Sequence, residues 1–322
     1  MKLKKFLSLV LAAVMLLGAL ALTGCSKDDR YTIGVIQLVT HPALDAATEG
    51  FVQALKDKLG EENVSIDVQN ADNSVDACAT IANAFVNKKV DLIMANATTA
   101  LQAAYNATTT IPILGTSVTE YGVALKIDNF NGVVGSNVSG TSDLANLEKQ
   151  AQMILDLVPG AKQVGMLYCA SEANSDYQVK KVTEYLTGKG ITCVNYTFSD
   201  SNDVGMIAEK AAKECDAIYV PTDNTAAACA ETIYGKTGKT PIIAGESGIC
   251  AGCGIATLSI SYYDLGYTTG EMAAQILKGE AKIEEMAIAY APKEEKKYNA
   301  AICADLGIDT AALEAAGFTA LE

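Results

Sequence analysis

The chain has 322 residues, half of them apolar, and carries 38 acidic against 24 basic residues for a formal charge of −14. Such an excess of acid makes nucleic acid a poor partner, while the length and apolar share suit a globular chain with cores for two ordinary domains. Arg30 is the sole arginine and tryptophan is absent, so any carboxylate or phosphate ligand must be held by backbone amides, hydroxyls or lysine rather than by a bidentate guanidinium.

Lys2, Lys4 and Lys5 precede an uncharged apolar run over residues 6–22, which ends in Leu22, Thr23, Gly24 and Cys25. The pattern predicts a secretory signal over residues 1–24, cut before a lipidated Cys25, with residues 25–30 as lipid anchor and polar spacer. The run is shorter than the roughly 20 apolar residues of a membrane span. The folded part is therefore expected on the extracytoplasmic face of the cell membrane, tethered by the lipid on Cys25. Loss of the three lysines leaves 21 basic residues and a formal charge of −17.

A β-rich segment at 31–39 is followed by a helix that Pro42 opens, with Leu44, Thr48, Phe51, Leu55 and Leu59 on one face. A strand at 64–68, a helix through Val86, a strand at 91–97, a helix from Thr99 and a strand at 111–118 continue the series. Alternating strands and helices predict a parallel sheet covered on both faces. Glycine and serine punctuation in GVVGSNVSG (132–140) marks a first crossing, before a helix predicted over 142–157. A second series follows, with strands at 163–169, 191–198, 217–220, 241–244 and 254–261 and helices at 174–186, 203–214 and 224–234. A helix is predicted at 263–277 and a short strand at 286–290; the helix is expected to return to the first unit and the C-terminal tail to the second.

The two series repeat each other. DLIMANATTALQAA (91–104) is echoed by DAIYVPTDNTAAAC (216–229), residues 34–55 align without gaps on residues 165–186, and Ile111-Pro112-Ile113 matches Thr240-Pro241-Ile242. The fold class predicted is α/β: two Rossmann-like lobes with parallel sheets, joined by a hinge. The first lobe is expected to hold 31–138 plus 262–288, and the second 139–261 plus 289–322.

Ligands of parallel α/β sheets bind beyond the carboxyl ends of the strands, where helices begin and their amides point outward. In the first lobe these ends carry Gln37 and His41, then Asn96, Thr98 and Thr99, then Ser117, Val118 and Thr119. In the second lobe they carry Ser171, Glu172, Asn174 and Ser175, then Thr222, Asp223 and Asn224, then Glu246 and Ser247. The first set offers hydroxyls and helix N-termini; the second offers carboxylates. A cleft between them suits a zwitterion, its carboxylate near Thr98, Thr99 and Ser117 and its ammonium near Asp223 or Glu172. Helix capping is the competing use for Thr98, Asn174 and Asp223.

Nothing in the chain marks a catalyst. His41, the only histidine, has no marked Ser or Cys partner. Gly245-Glu-Ser-Gly248 continues with Ile249, which breaks a nucleophile elbow, and no G-x-G-x-x-G follows the first strand. Beyond Cys25, most of the eight cysteines lie in apolar contexts that suit core packing. Cys250-Ala-Gly-Cys253 permits a small disulfide loop but lacks the second ligand pair of a zinc site. No metal and no cofactor is expected.

Several segments in order, HPALD (41–45), NATT (96–99), NVSGTSD (137–143), SEANS (171–175), PTDN (221–224) and YYDLG (262–266), resemble the tryptophan/tyrosine-type substrate-binding lipoproteins of ABC transporters, across nearly the whole chain after the signal. The resemblance implies a type I periplasmic binding fold. It implies a monomer that captures a small amino acid by hinge closure and delivers it to an ABC permease and its ATPase, with no reaction catalysed. Aromatic amino acids are the class such proteins take, and Tyr121, Tyr262 or Tyr263 could stack on the ring. Thr119-Glu120-Tyr121 departs from the Thr-Asp-Pro more usual in relatives, beside Ser117. A sugar or nucleoside ligand, or a sensor or adhesin role for the same cleft, is the alternative.

Overall fold

The echo between the two halves of the sequence becomes two sheets in which the first five strands of each half take the same order. The computed structural model describes residues 30–291 and 293–321; the expected signal and Cys25 lie outside the described residues. In the first lobe, β1 (Tyr31–Gln37), α1 (Pro42–Leu59), β2 (Val64–Asn70), α2 (Val75–Lys88), β3 (Leu92–Asn96), α3 (Thr98–Ala107), β4 (Ile113–Val118), α4 (Tyr121–Leu125) and β5 (Val138–Ser142) follow in turn. The second begins with α5 (Leu147–Leu157), β6 (Gln163–Cys169), α6 (Ala173–Gly188), β7 (Thr192–Phe198), α7 (Val204–Glu214), β8 (Ala217–Val220), α8 (Asn224–Ala228) and α9 (Ala230–Thr237). It continues through β9 (Ile242–Ala244), α10 (Ser247–Gly252) and β10 (Ala256–Ser259). Then come α11 (Tyr262–Leu277), β11 (Ala289–Tyr290), β12 (Glu295–Tyr298), α12 (Ala300–Leu306), α13 (Thr310–Ala315) and β13 (Thr319–Ala320).

The first sheet runs β11-β5-β4-β3-β1-β2 and the second β13-β12-β10-β9-β8-β6-β7. All pairs are parallel except β10 with β12. Even the register repeats: Val35 lies opposite Met94, and their counterparts Met166 and Tyr219 lie opposite each other. β3, β4 and β8 are buried along their whole length, as expected of strands covered by helices on both faces. In each lobe the strand order reverses at the first strand, so the ligand crevice of this topology opens beside β1 and β3 in one and β6 and β8 in the other.

The predicted helix over 142–157 starts later. Val138–Ser142 is a strand because its hydroxyls find lateral partners: Thr141 Oγ1 lies 3.2 Å from Thr116 Oγ1 and 2.8 Å from Thr269 Oγ1, and Ser142 donates to the Thr119 carbonyl at 2.8 Å. Asn146 then caps the helix by accepting from Lys149 N. With β5 and β11 both in the first sheet, the chain crosses after Ser142 and after Tyr290, a few residues beyond the expected limits at 138 and 288. The helix predicted at 263–277 is α11, and it packs along α1 of the first lobe. Small residues let the two backbones meet: a Cβ on Gly50 would stand 2.1 Å from the Tyr263 carbonyl oxygen, and one on Gly266 1.9 Å from that of Ala47.

Candidate functional site

The carboxyl ends of the two sheets face each other across a cavity of about 10 Å³, the space one water molecule requires. Its walls come from both lobes and from the crossings: His41, Leu44, Ser117 and Thr119 on one side, Asn174, Thr222, Asp223, Asn224, Ala227 and Glu246 on the other, and Asp143 and Tyr262 between them. The lobes touch directly as well. His41 Nε2 lies 3.3 Å from Asn224 Oδ1, and Asn73 Nδ2 donates to Thr225 Oγ1 at 3.0 Å.

Each wall is placed by local sequence. Pro42 starts α1 directly after His41, whose extended backbone forms the N-cap while its side chain makes no capping bond. Beneath it, Gln37 donates to Asp45 Oδ1 and accepts from Thr48, and Asn96 donates to the Leu44 carbonyl and to Thr48. These two predicted site residues therefore brace the start of α1 and do not line the cavity. Ser117 and Ala97 end their strands with φ of +53° and +98°, a conformation that costs a non-glycine residue about 1–3 kcal/mol and clusters at ligand sites. Val118 belongs to the first lobe's core, and Thr98 is buried at the head of α3.

In the second lobe, Glu172 is spent on structure. It accepts from Asn224 N, Asn224 Nδ2, Thr225 N, Thr225 Oγ1 and Asn174 Nδ2 at 2.7–3.1 Å, clamping the head of α8 onto that of α6. Asp223 lines the cavity but also accepts from Ala226 N, Cys169 N and Ser175 Oγ, each at 2.7 Å; Ser175 is its support. Glu246 caps α10 through Gly248 N and Ile249 N. Thr99 and Ser171 line a separate groove with Val75 and Gln102 and are not among the residues that line the cavity.

Electrostatically the cavity is acidic. Burial pushes the Asp143 carboxyl up to about 6, with Glu246 adding to the rise and the hydroxyls of Thr119 and Tyr262 opposing it. Burial, and then Glu172, raises Asp223 well above the carboxylate range. Glu246 is raised by burial against the opposing effect of His41. Four buried polar atoms on the cavity residues have no hydrogen-bond partner: His41 Nδ1, Ser117 Oγ, Asp143 Oδ1 and Asn174 Oδ1. An unsatisfied buried polar group costs about 1–3 kcal/mol, so four of them on the lining of one cavity are an arrangement that needs a physical account.

Leu44, Asp143 and Ala227 line this cavity outside the reading by strand ends, which had named Thr222. Asp143 directly follows β5, but the chain crosses there and the next helix, α5, belongs to the second lobe; its place in the NVSGTSD segment was the available signal. Of the tyrosines considered for stacking, Tyr262 reaches the cavity. Tyr121 is core, its hydroxyl donating to the Thr141 carbonyl, and Tyr263 stacks outside on Tyr267. Glu120 caps α4, its side chain accepting from Gly122 and Val123 N. Cys250 and Cys253 are buried free thiols, like the other described cysteines in being unpaired, and burial raises both. Among the described residues no His, Cys, Asp and Glu group is arranged to hold a metal ion.

Two α/β lobes, parallel sheets of equal order and a cavity between strand ends define the type I periplasmic binding fold. Residues 32–313 match the family model described as ABC transporter substrate binding protein, and the chain belongs to that family, one of solute binders and not an enzyme class. A protein named tyrosine-binding protein from Clostridioides difficile (strain R20291) is 38% identical over 302 residues, covering 87% of this chain and 86% of its own. A solved Streptococcus pneumoniae ABC domain in complex with L-Trp is 30% identical, with a TM-score of 0.85 over 91% of this chain and 100% of its own. A ligand-free, open substrate-binding protein with adhesive properties from Clostridium difficile is 37% identical but reaches a TM-score of only 0.69, over 91% of this chain and 99% of its own. The superposition is thus better on the L-Trp complex than on the ligand-free, open structure.

Proposed function

We propose that this protein is the extracytoplasmic capture component of an ABC importer, taking an aromatic amino acid such as tryptophan, tyrosine or phenylalanine between lobes that close about the hinge. It works as a monomer held to the membrane by lipid on Cys25 and hands its ligand to an ABC permease driven by its ATPase. The observation that carries the reading is the convergence of unpartnered His41, Ser117, Asp143 and Asn174 atoms on a cavity built from both lobes. A ligand that bonds to both sides at once stabilises the closed form alone, which is the differential contact that drives closure.

The chemistry of the walls supports a zwitterion. Ser117 and Thr119 offer hydroxyls to the carboxylate, the acidic wall of Asp143, Asp223 and Glu246 takes the ammonium, and Leu44, Ala227 and Tyr262 are the apolar contacts for a ring. The relatives named for tyrosine and solved with L-Trp support the aromatic class. The test is calorimetry on the chain from Ser26 onward, freed of bound ligand by unfolding and refolding, against amino acids, sugars and nucleosides. Heat and a raised Tm confined to tryptophan, tyrosine or phenylalanine support the proposal; a sugar or nucleoside binding in their place overturns it. A ligand at 100 times its Kd adds about 2.7 kcal/mol of stability.

A further inference from the structure

The three carboxylates on the cavity differ in how much of their bonding capacity is already used. An ionised carboxylate accepts about four hydrogen bonds. Asp223 accepts three from its own lobe. Glu246 accepts two from backbone amides of the helix it caps. Asp143 accepts one bond of full hydrogen-bond geometry, from the Tyr262 hydroxyl at 3.0 Å; the Thr119 hydroxyl also acts on the carboxyl, but Oδ1 has no partner of that geometry although the residue is only 4% exposed. Glu172, which is saturated, lies behind the wall.

Position separates them further. Asp223 and Glu246 sit at helix heads of the second lobe, where their bonds are those of caps. Asp143 lies on the first crossing between lobes, one residue past β5, and Tyr262 opens α11 just after the second. Their hydrogen bond ties the two crossings together at the floor of the cleft. No lysine or arginine lines the cavity, and His41 stands on the facing wall. The charge that Asp143 needs must come from the ligand.

We infer that Asp143 is the anchor for the ligand's ammonium group, bonding it through the free Oδ1 while Tyr262 holds Oδ2, and that Asp223 serves mainly as the scaffold of the opposite wall. The inference rests on the amino-acid reading above and deepens it: the site selects for a free primary amine. An aromatic amine without a carboxylate keeps this contact, and an aromatic acid without an amine lacks it.

The experiment measures Kd by calorimetry for tyrosine, tyramine and 3-(4-hydroxyphenyl)propionate with the wild-type chain from Ser26 onward, which keeps every described residue of both lobes, and with Asp143→Asn and Asp143→Ser. Circular dichroism and Tm identify the variants that fold. Removing one charged hydrogen-bond partner is expected to weaken tyrosine and tyramine roughly 10- to 150-fold, with 3-(4-hydroxyphenyl)propionate bound no more weakly than by the wild type. A folded variant that binds tyrosine within about threefold of wild type overturns the assignment and leaves the amino-acid reading standing. Equal weakening of all three compounds also overturns it, since the acid lacks the ammonium. If the wild type binds no aromatic amino acid, the underlying reading fails and the inference falls with it.

Discussion

Asp143→Asn is expected to stabilise the ligand-free protein while it disables binding. Burial lifts this carboxyl from its ordinary value of 3.8 to about 6. At about 1.36 kcal/mol per pH unit, an ionised Asp143 costs the empty, closed fold about 3 kcal/mol at neutral pH. The folded pKa lies above the unfolded one, so the folded chain binds more protons between pH 3.8 and 6 and loses stability as pH rises through that window. Above 6 the full cost applies. Asparagine keeps an acceptor for Tyr262 and removes the charge that faces Glu246, so the variant escapes the cost. Opening the lobes wets the carboxyl, which makes 3 kcal/mol a ceiling. Urea unfolding at pH 7.5 reads the difference directly, and a Tm increase of up to about 6 °C accompanies it at roughly 2 °C per kcal/mol for a chain of this size. At pH 4.5 the gap shrinks to about 1 kcal/mol. A variant no more stable than wild type at pH 7.5, or a gap that does not shrink in acid, refutes the reasoning.

Glu172→Ala removes the acceptor of five hydrogen bonds at the heads of α8 and α6 and is expected to destabilise the chain by about 3 kcal/mol in chemical unfolding. Ser117→Ala deletes an unpartnered hydroxyl on the cavity, so tyrosine affinity falls about 2- to 10-fold in calorimetry, whereas Thr99→Ala, in the outer groove, leaves it within about twofold. Asn73→Ala breaks a lobe-to-lobe bond that touches no cavity residue; stopped-flow is expected to show ligand release faster by about fivefold with little change in the entry rate.

Much of this architecture was legible in the chain. The 91–104 and 216–229 echo carried over into equal strand orders and equal registers, because residues related by the repeat fill the same buried positions. Of the strand-end residues, His41, Ser117, Thr119, Asn174, Asp223, Asn224 and Glu246 line the cavity. Which acids were already satisfied was not legible. The donors that saturate Glu172 include amides 52 and 53 residues away, and no local pattern announces them. Likewise the hydroxyls of Thr141 and Ser142 read as loop or helix-start chemistry until β4 and α11 pack beside them. Tyr121 looked available for stacking because its partner, the Thr141 carbonyl, is supplied by the neighbouring strand.

The three crossings make each lobe a product of the whole sequence. The first sheet is incomplete until Ala289 and Tyr290 join β5, and α11 reaches its place against α1 only after the second sheet's central strands have been made. A ribosome releasing this chain, or a secretion channel passing it N-terminus first, therefore exports most of a second lobe before the first one can be finished. Neither lobe can be excised by a single cut. Truncation from the C-terminus removes strands from both sheets, since β11 forms one edge of the first and β12 and β13 the outer pair of strands at one side of the second. The two lobes are inherited, expressed and degraded as one unit, and a fragment consisting of the first 142 residues is expected to lack both its outermost strand and the helix that covers it.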